Sequence, residues 1–221
     1  MYRATYPEGH VMKKKLFCAL AIASVSLTLA TQVEACSRKA VSGANQAIQP
    51  GRNINASLLD AAVRVEVNYH RCRAGLGKLR SEPKLRNMAA GHSKWMARAS
   101  NMSHTSTVSG RRTLEQRIKR SGLRWKATAE NIGMVYRFRM EQKQFVIDNA
   151  ASCQFSNSAG QVIPPHSYQS LARYIVNLWM DSPGHRHNIL DRRMKMVGTA
   201  IHHDPKAQYC GTYYITQNFA Q

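Results

Sequence analysis

The sequence predicts an α+β fold. Apolar residues recur at helical spacing through much of the first half of the chain. Near the C-terminus, residues 197–203 and 212–219 have the pattern of two strands, and the connection between them contains Asp204-Pro205 and Gly211, which favours an antiparallel hairpin. Helices and strands do not alternate, so a parallel βαβ sheet is not expected. Residues 57–221 are numerous enough to form one domain with its own core.

Residues 1–35 are predicted to be an N-terminal extension and a signal peptide. Lys13–Lys15 precede an apolar run at 16–30, and this order of charge and apolar residues is typical of secretory leaders. Met12, beside the lysines, is an alternative start to Met1. The run is shorter than the roughly 20 residues of a membrane span, and no later run is longer, so we expect no transmembrane segment in the mature chain.

The leader ends in Val33-Glu34-Ala35-Cys36, where the small residues suit cleavage by a signal peptidase. The same residues also resemble a bacterial lipobox, in which the cysteine becomes a lipidated first residue, although Glu34 is a poor residue for that motif. We therefore expect a secreted or periplasmic protein, and the alternative is a lipoprotein attached through Cys36.

The chain is strongly basic, with a formal charge of +20. Removing residues 1–35 removes four basic and two acidic residues, which leaves +18. Such a charge favours anionic partners such as lipid headgroups or cell-envelope polymers, and the alternative is a solubilising surface. The basic residues are spread from Arg52 to Lys206 and form no nucleic-acid-binding motif, so no nucleic acid partner is expected.

Four cysteines follow the leader, and four cysteines allow three disulfide connectivities. We favour a Cys153–Cys210 disulfide because both residues lie outside the predicted helices. Cys72 lies within a predicted helix among apolar neighbours, where a buried free thiol is common. There is no Cys-x-x-Cys motif, so redox or zinc chemistry through thiols is not expected.

The first helices follow a polar linker at 36–56. Ser57 is the predicted N-cap of a helix that runs from Leu58 to about Ala74. Pro83 opens a second helix with a clear apolar stripe. His92 lies on that stripe, where a histidine is more often a buried core residue than a ligand.

The middle of the chain contains shorter elements. Residues 111–120 are predicted to form a basic helix, and residues 129–136 a strand with Glu130 at its entrance. Residues 138–150 have a weak helical pattern, and residues 152–165 are predicted to form an inserted loop. This strand matters for function, because it places the carboxylate of Glu130 at the end of an element, where a loop begins.

The next helix, from Ser167 to Asp181, has Trp179 on its core stripe. A Ser-Pro-Gly break follows, with Ser182 as a good N-cap and Pro183 at the first helical position. His185 then lies in the first turn of a new helix, whereas His187 is expected to point away from it.

Three polar pairs lie where apolar elements end: Ser103-His104, Glu130-Asn131 and Gly184-His185. Such positions converge on clefts more readily than mid-helix positions do. Two histidines and a carboxylate suit a zinc site, or a general-base site in which the carboxylate orients an imidazole. In the last strand, Gln217 shares the parity of the apolar residues, so it is either a buried polar group with a partner or a site residue.

The ordered set of motifs across residues 57–221 resembles the CAP superfamily (cysteine-rich secretory proteins, antigen 5, pathogenesis-related 1) in its bacterial secreted form. The residues that carry the resemblance are Asn68-x-x-Arg71 with Gly75-Leu76 and Leu79, Ser103-His104, Glu130-Asn131-Ile132, Trp179-x-x-Ser182-Pro183-Gly184-His185-Arg186-x-Asn188-Ile189-Leu190, Gly198, and Tyr214 through Gln217-x-Phe219-Ala220.

The resemblance implies a three-layer α-β-α sandwich with a central, mostly antiparallel sheet. It also implies a cleft with two histidines and two acidic residues, which binds a divalent metal such as zinc in some members. His104, Glu130 and His185 match three of these positions, and the metal ligands expected here are His104 and His185. The second acid falls near Asp181 or Ser182, where Asp181 has a shorter reach than the usual glutamate.

Three functions remain open from the sequence. The first is a secreted binding module whose cleft takes a metal and a small ligand such as a lipid or a cell-wall fragment. The second is a metal-assisted hydrolase in which Glu130 or a metal activates water. The third is a non-catalytic envelope protein that docks through its basic surface. No serine or cysteine stands in a nucleophile motif such as G-x-S-x-G, which favours binding over catalysis.

Overall fold

The computed structural model describes residues 36–50, 54–141 and 144–221. The chain divides into two units, Met1–Ser37 and Arg38–Gln221, and the fold given below is that of the second unit. The predicted leader at 1–35 lies outside the described residues. None of the described helices combines the length and the apolar character that crossing a bilayer requires.

Five helices and six strands make up the described part of the second unit. The helices are α1 (Ala56–Arg73), α2 (Pro83–Ala99), α3 (Leu114–Arg120), α4 (Tyr168–Asp181) and α5 (Pro183–Leu190). The strands are β1 (Arg80–Ser81), β2 (Thr128–Tyr136), β3 (Phe145–Asn149), β4 (Gln154–Asn157), β5 (Met196–Asp204) and β6 (Thr212–Ala220).

The main sheet has four strands in the order β1-β5-β6-β2. β5 and β6 form the predicted antiparallel hairpin, and β2 pairs antiparallel with the other side of β6. Only the short β1 runs parallel to its neighbour, β5. The predicted α+β class with a mostly antiparallel sheet is therefore confirmed.

Helices cover both faces of the main sheet, because residues of opposite parity on each strand are apolar. On one face, the core joins Val63 of α1 and Trp179 of α4 to Ile215 and Phe219 of β6. On the other face, Met96 of α2 packs with residues of β2 and β6. Neighbouring residues of β2 face opposite layers, so the adjacent residues Glu130 and Asn131 contact different helices.

The prediction of a helix over 138–150 is wrong, and the loop predicted at 152–165 contains a strand. β3 and β4 pair as an antiparallel hairpin instead. Phe145 packs with a small second core that includes Phe138, Met140 and Phe155. The short apolar pattern of residues 138–150 cannot distinguish a helix from a strand. The pairing of β3 with β4 makes this segment a strand.

The predicted disulfide between Cys153 and Cys210 is confirmed, with their Cα atoms 5.9 Å apart. It links the start of β4 to the β5–β6 connection. Cys36 and Cys72 are disulfide-bonded as well, so the prediction that Cys72 is a free thiol is wrong. Cys72 lies in the last turn of α1 and is only half-buried, where its sulfur can be reached by a second cysteine.

The first helix begins slightly earlier than its sequence predicts. Asn55, not Ser57, is the N-cap of α1, and its Oδ1 accepts a hydrogen bond from the N–H of Leu58 at 3.0 Å. Either residue type satisfies free N–H groups at a helix start, so propensity alone could not choose between them.

His166 is a buried histidine that links folding to pH. Its Nδ1 lies 3.0 Å from the Ser170 hydroxyl, and its Nε2 has no hydrogen-bond partner among the described residues. Burial, with a smaller effect of the Arg139 charge, lowers the pKa of His166 to about 4. The folded state therefore resists protonation that the unfolded chain accepts near its ordinary pKa of about 6.5.

We expect His166 to lower the free energy of unfolding as the pH falls from about 6.5 to about 4, by up to about 3 kcal/mol. Urea denaturation at several pH values measures this dependence. Other histidines contribute to it, so the informative quantity is the difference between the wild type and His166→Gln. The variant is expected to have a flatter pH dependence, whereas the exposed-site control His187→Gln should match the wild type. Equal slopes in all three proteins contradict the expectation.

Candidate functional site

Glu130 is the centre of the site. It lies at the start of β2, is buried, and faces the α2 side of the sheet. One guanidinium nitrogen of Arg117, Nη2, donates to both carboxylate oxygens, at 2.8 Å and 2.7 Å. The ring of His104 lies on the same carboxylate, with Nδ1 2.9 Å from Oε1. The buried charge is thus paired, as a buried carboxylate requires.

Asn218 completes the set of partners around Glu130. Its amide is satisfied when the nitrogen faces the carboxylate: Nδ2 then donates to Oε2 at 3.0 Å, and the amide oxygen accepts from the N–H of Ala89 at 3.1 Å. Each oxygen of Glu130 therefore has two hydrogen-bond donors. This carboxylate is fully engaged in holding its neighbours, so it has little capacity left for a metal or a substrate.

Arg117 holds the loop of His104 as well as the carboxylate. It lies in α3, whose start is fixed by a capping box between Thr113 and Gln116. Its Nη1 donates to the carbonyl oxygens of His104 at 3.1 Å and of Arg112 at 2.9 Å. The residue is 5% exposed, so these bonds form away from water. Arg117 was not predicted from the sequence as a site residue, because it stands among many exposed basic residues.

His104 presents an imidazole edge to solvent. Its side chain is 56% exposed, whereas Glu130 behind it is almost fully buried. Because Nδ1 faces a carboxylate, it is the donor, and in the neutral imidazole this leaves the lone pair on Nε2. The opposite nitrogen is therefore available to a ligand. This arrangement, with a carboxylate fixing one nitrogen, is common behind metal-binding histidines.

His185 approaches from α5, on the other side of β2. Pro183 and Ser182 occupy the predicted first and N-cap positions, but Ser182 makes no side-chain capping bond. Burial, and then the charge of His104, lower the pKa of His185. The neutral form of the imidazole is therefore favoured near neutral pH.

Two asparagines join α5 to β2. Asn131 faces the α5 side and donates from Nδ2 to the carbonyl oxygen of His185 at 3.3 Å. Asn188 donates from Nδ2 to the Oδ1 of Asn131 at 2.9 Å and to the carbonyl oxygen of Glu130 at 3.2 Å. His104 is thus held by Glu130, and the backbone of His185 is held by the next residue of β2, Asn131.

His92 lies beneath the site. It is 2% exposed, and its Nε2 is 2.9 Å from the carbonyl oxygen of Ser103 and 3.9 Å from Oε1 of Glu130. Burial is the main reason that its pKa is lowered. His92 is a buried residue that supports the loop of His104, and its Nδ1 has no partner among the described residues.

The other predicted site residues are placed elsewhere. Asp181 is exposed at the end of α4, and its charge raises the pKa of His70, an effect smaller than the lowering by burial. Gln217 is buried in the sheet opposite Asn131 and donates from Nε2 to the hydroxyl of Thr199 at 3.2 Å. Trp179 is a core residue whose Nε1 donates to the carbonyl oxygen of Ile132 at 2.9 Å.

No group of three or more His, Cys, Asp or Glu side chains among the described residues is arranged to hold a metal ion. His104 and His185 remain as the two imidazoles of the predicted set. His104 offers Nε2 and His185 is neutral, while Glu130 stays behind as an orienting acceptor. Asp181 does not join His104, Glu130 and His185 in such a group among the described residues.

The decisive comparison is with protein-family models. The model of CAP, the cysteine-rich secretory protein family, matches residues 65–219, which is most of the chain. The chain belongs to this family. The CAP domain thus contains every residue of the site, from His92 and His104 to Asn218. No curated protein sequence matches the chain significantly.

Solved structures agree with the CAP fold. An extracellular protein containing an SCP domain from Bacillus anthracis str. Ames is 21% identical, with a TM-score of 0.51 over 75% of this chain and 41% of that chain. An outer surface protein from Borrelia burgdorferi is 14% identical, with a TM-score of 0.51 over 76% of this chain and 96% of that chain. The chain therefore spans less than half of the Bacillus protein, and at these identities the likeness concerns the fold.

Proposed function

We propose that this CAP domain is an exported binding protein whose cleft holds a small ligand between His104 and His185. The observation that carries the proposal is that the carboxylate of Glu130 has all of its hydrogen-bond partners within the protein. Both of its oxygens are occupied by Arg117, His104 and Asn218, so it serves to fix the His104 ring with Nε2 outward. A neutral His185 on the facing helix provides the second imidazole.

Nε2 of His104 and a ring nitrogen of His185 would hold a divalent metal such as zinc, which prefers imidazole nitrogen. When bound, the metal would supply a Lewis acid that polarises a ligand oxygen. Glu130 would remain outside the coordination shell and orient His104. Two protein ligands leave coordination positions for a ligand, and lipids or cell-wall fragments with carboxylate, phosphate or hydroxyl oxygens suit them.

A catalytic role for Glu130 is less well supported. A general base needs a free lone pair within reach of the proton that it removes, and this carboxylate has its oxygens engaged. The charge of +18 on the mature chain supports attraction to anionic envelope polymers, which would bring the domain to its ligand.

Export is supported by three observations. The leader has the secretory pattern, both pairs of cysteines after it are disulfide-bonded, and disulfides persist in oxidising compartments. The two solved structures compared above are described as an extracellular and an outer surface protein. A sulfur in a disulfide cannot also carry a thioether-linked lipid, so the disulfide at Cys36 favours simple secretion over lipidation.

Zinc titration of the purified CAP domain, followed by calorimetry, tests the site. We expect the wild type to bind zinc and the double variant His104→Ala, His185→Ala to lose the binding. His187→Ala is the matched control, because this histidine is exposed on the same helix, and it should bind normally. Unchanged binding by the double variant would falsify the assignment of the two ligands.

A second measurement separates binding from catalysis. The wild type and Glu130→Gln are compared on peptide and cell-wall substrates, together with envelope binding at low and high salt. We expect no turnover by either protein. Turnover by the wild type that disappears in a folded Glu130→Gln favours the hydrolase instead. Envelope binding that salt abolishes while the histidine variants bind normally indicates docking by surface charge alone.

A further inference from the structure

A cavity of about 320 Å³ lies between α2 and the segment from Ser106 to Ser121. His92 and Arg117, which support Glu130 from below, form part of its wall. His104, Glu130 and His185 do not line it. The cavity is therefore separate from the cleft, and its volume is in the range of small-molecule binding sites.

The wall of the cavity is strongly basic. Lys84, Arg111 and Arg120 contribute exposed cationic ends, and none of the described residues that line the cavity is acidic. None of these three belongs to an ion pair formed by the described residues. Nζ of Lys84 donates to the carbonyl oxygen of Gly122 at 3.0 Å, which holds the amine across the gap between α2 and the end of α3. Three unneutralised cations around one cavity favour an anionic ligand.

Two buried nitrogens in the same wall lack partners. Nε of Arg117 and Nδ1 of His92 have no hydrogen-bond partner among the described residues. Nε2 of His92 faces the carbonyl oxygen of Ser103 and therefore carries the proton, so Nδ1 is an acceptor. Nε of Arg117 therefore lacks an acceptor, and Nδ1 of His92 lacks a donor. These unmet needs make the inner wall polar, and hydroxyl groups, which both donate and accept, suit it better than a fully deprotonated carboxylate or sulfate, which offers no donor.

One side of the cavity is apolar and flat. Trp95 lines it, and the indole is held by its Nε1, which donates to the hydroxyl of Thr107 at 2.9 Å. The ring of His92 stacks on Trp95, with centroids 5.5 Å apart. Met88 and Val108 complete this side. A fixed aromatic ring beside polar groups suits a ligand with one C–H-rich face and several hydroxyl groups.

We propose that this cavity binds an acidic sugar, a pyranose ring that bears a carboxylate. The carboxylate is paired by Lys84, Arg111 and Arg120 at the rim. The hydroxyl groups of the ring lie on the side of His92 and Arg117, and its C–H face lies on Trp95. This site does not depend on metal binding in the cleft, because neither of the proposed metal ligands, His104 and His185, lines the cavity.

Sodium glucuronate is the probe, and glucose of the same ring size is the neutral control. In NMR titrations of the whole folded domain, we expect glucuronate to shift the indole N–H signal of Trp95 and glucose to have little effect. The triple variant Lys84→Gln, Arg111→Gln, Arg120→Gln is expected to weaken glucuronate binding by about tenfold or more, because charge-assisted hydrogen bonds are lost.

Two control proteins make the outcome decisive. Lys119→Gln, Arg124→Gln, Lys126→Gln removes the same charge from exposed positions outside the cavity and should bind glucuronate like the wild type. His104→Ala should also bind it normally, which separates this site from the cleft. The proposal is overturned if the Trp95 signal does not move, if glucose binds equally well, or if both triple variants lose binding to the same extent.

Discussion

Replacing Arg117 with leucine is expected to lower the free energy of unfolding by about 3–5 kcal/mol. The variant leaves the buried Glu130 without its counter-ion, and the hydrogen bonds from Asn218 and His104 cannot replace a full charge. It also removes the donors to the carbonyl oxygens of the His104 loop. Urea denaturation monitored by circular dichroism measures the loss.

Two variants show whether the loss comes from the buried ion pair. Lys119→Leu changes an exposed residue of the same helix and should shift stability by no more than about 0.5 kcal/mol. The double variant Arg117→Leu, Glu130→Leu removes both charges and should recover part of the stability, because no unpaired charge remains. A loss below about 1 kcal/mol in Arg117→Leu would show that Glu130 does not depend on this partner.

Gly198→Ala is the second substitution with a large expected effect. A methyl group at this position of β5 would lie 2.2 Å from the backbone nitrogen of Arg86 and 2.6 Å from the carbonyl carbon of Leu85. Both atoms belong to the backbone of α2, so relief requires the helix to move away from the sheet. We expect a loss of about 3 kcal/mol or more, measured by thermal and urea denaturation.

Gly91→Ala is the matched control for Gly198→Ala. Gly91 lies within α2, and a methyl group there meets no heavy atom within 4 Å. Alanine has the higher helix propensity, so this variant should gain roughly 0.5–1 kcal/mol. If the two alanine variants have similar stabilities, the close approach of α2 to β5 is not the reason for a glycine at 198.

Several elements were predictable because local and tertiary preferences agree. Pro83 and the apolar stripe after it mark α2, and the break at Ser182-Pro183 marks the start of α5. β5 and β6 were predictable from their strand patterns and the turn between them. The β3–β4 hairpin was not, because its pairing partner and its disulfide determine it more than its own sequence pattern does.

The site was predictable where a polar residue interrupts an apolar element. His104, Glu130 and His185 stand out for that reason, and two of them meet in a direct hydrogen bond. Arg117 and Asn218 did not stand out. Arg117 is one basic residue among 32, and only burial distinguishes it. Asn218 lies on the face of β6 opposite to that of Tyr213, Ile215 and Phe219. Only the packing of α2 against that face buries it.

Long-range proton–nitrogen-15 NMR spectra of the histidine side chains test most directly whether the Arg117-held Glu130 orients His104 for ligand binding. At mildly alkaline pH, His104 is predicted to carry its proton on Nδ1, with a bare Nε2 whose signal moves when zinc is added. Glu130→Gln should weaken that preference. A His104 that carries its proton on Nε2 in the wild type, or an Nε2 signal that ignores zinc, would contradict the proposed role of the site.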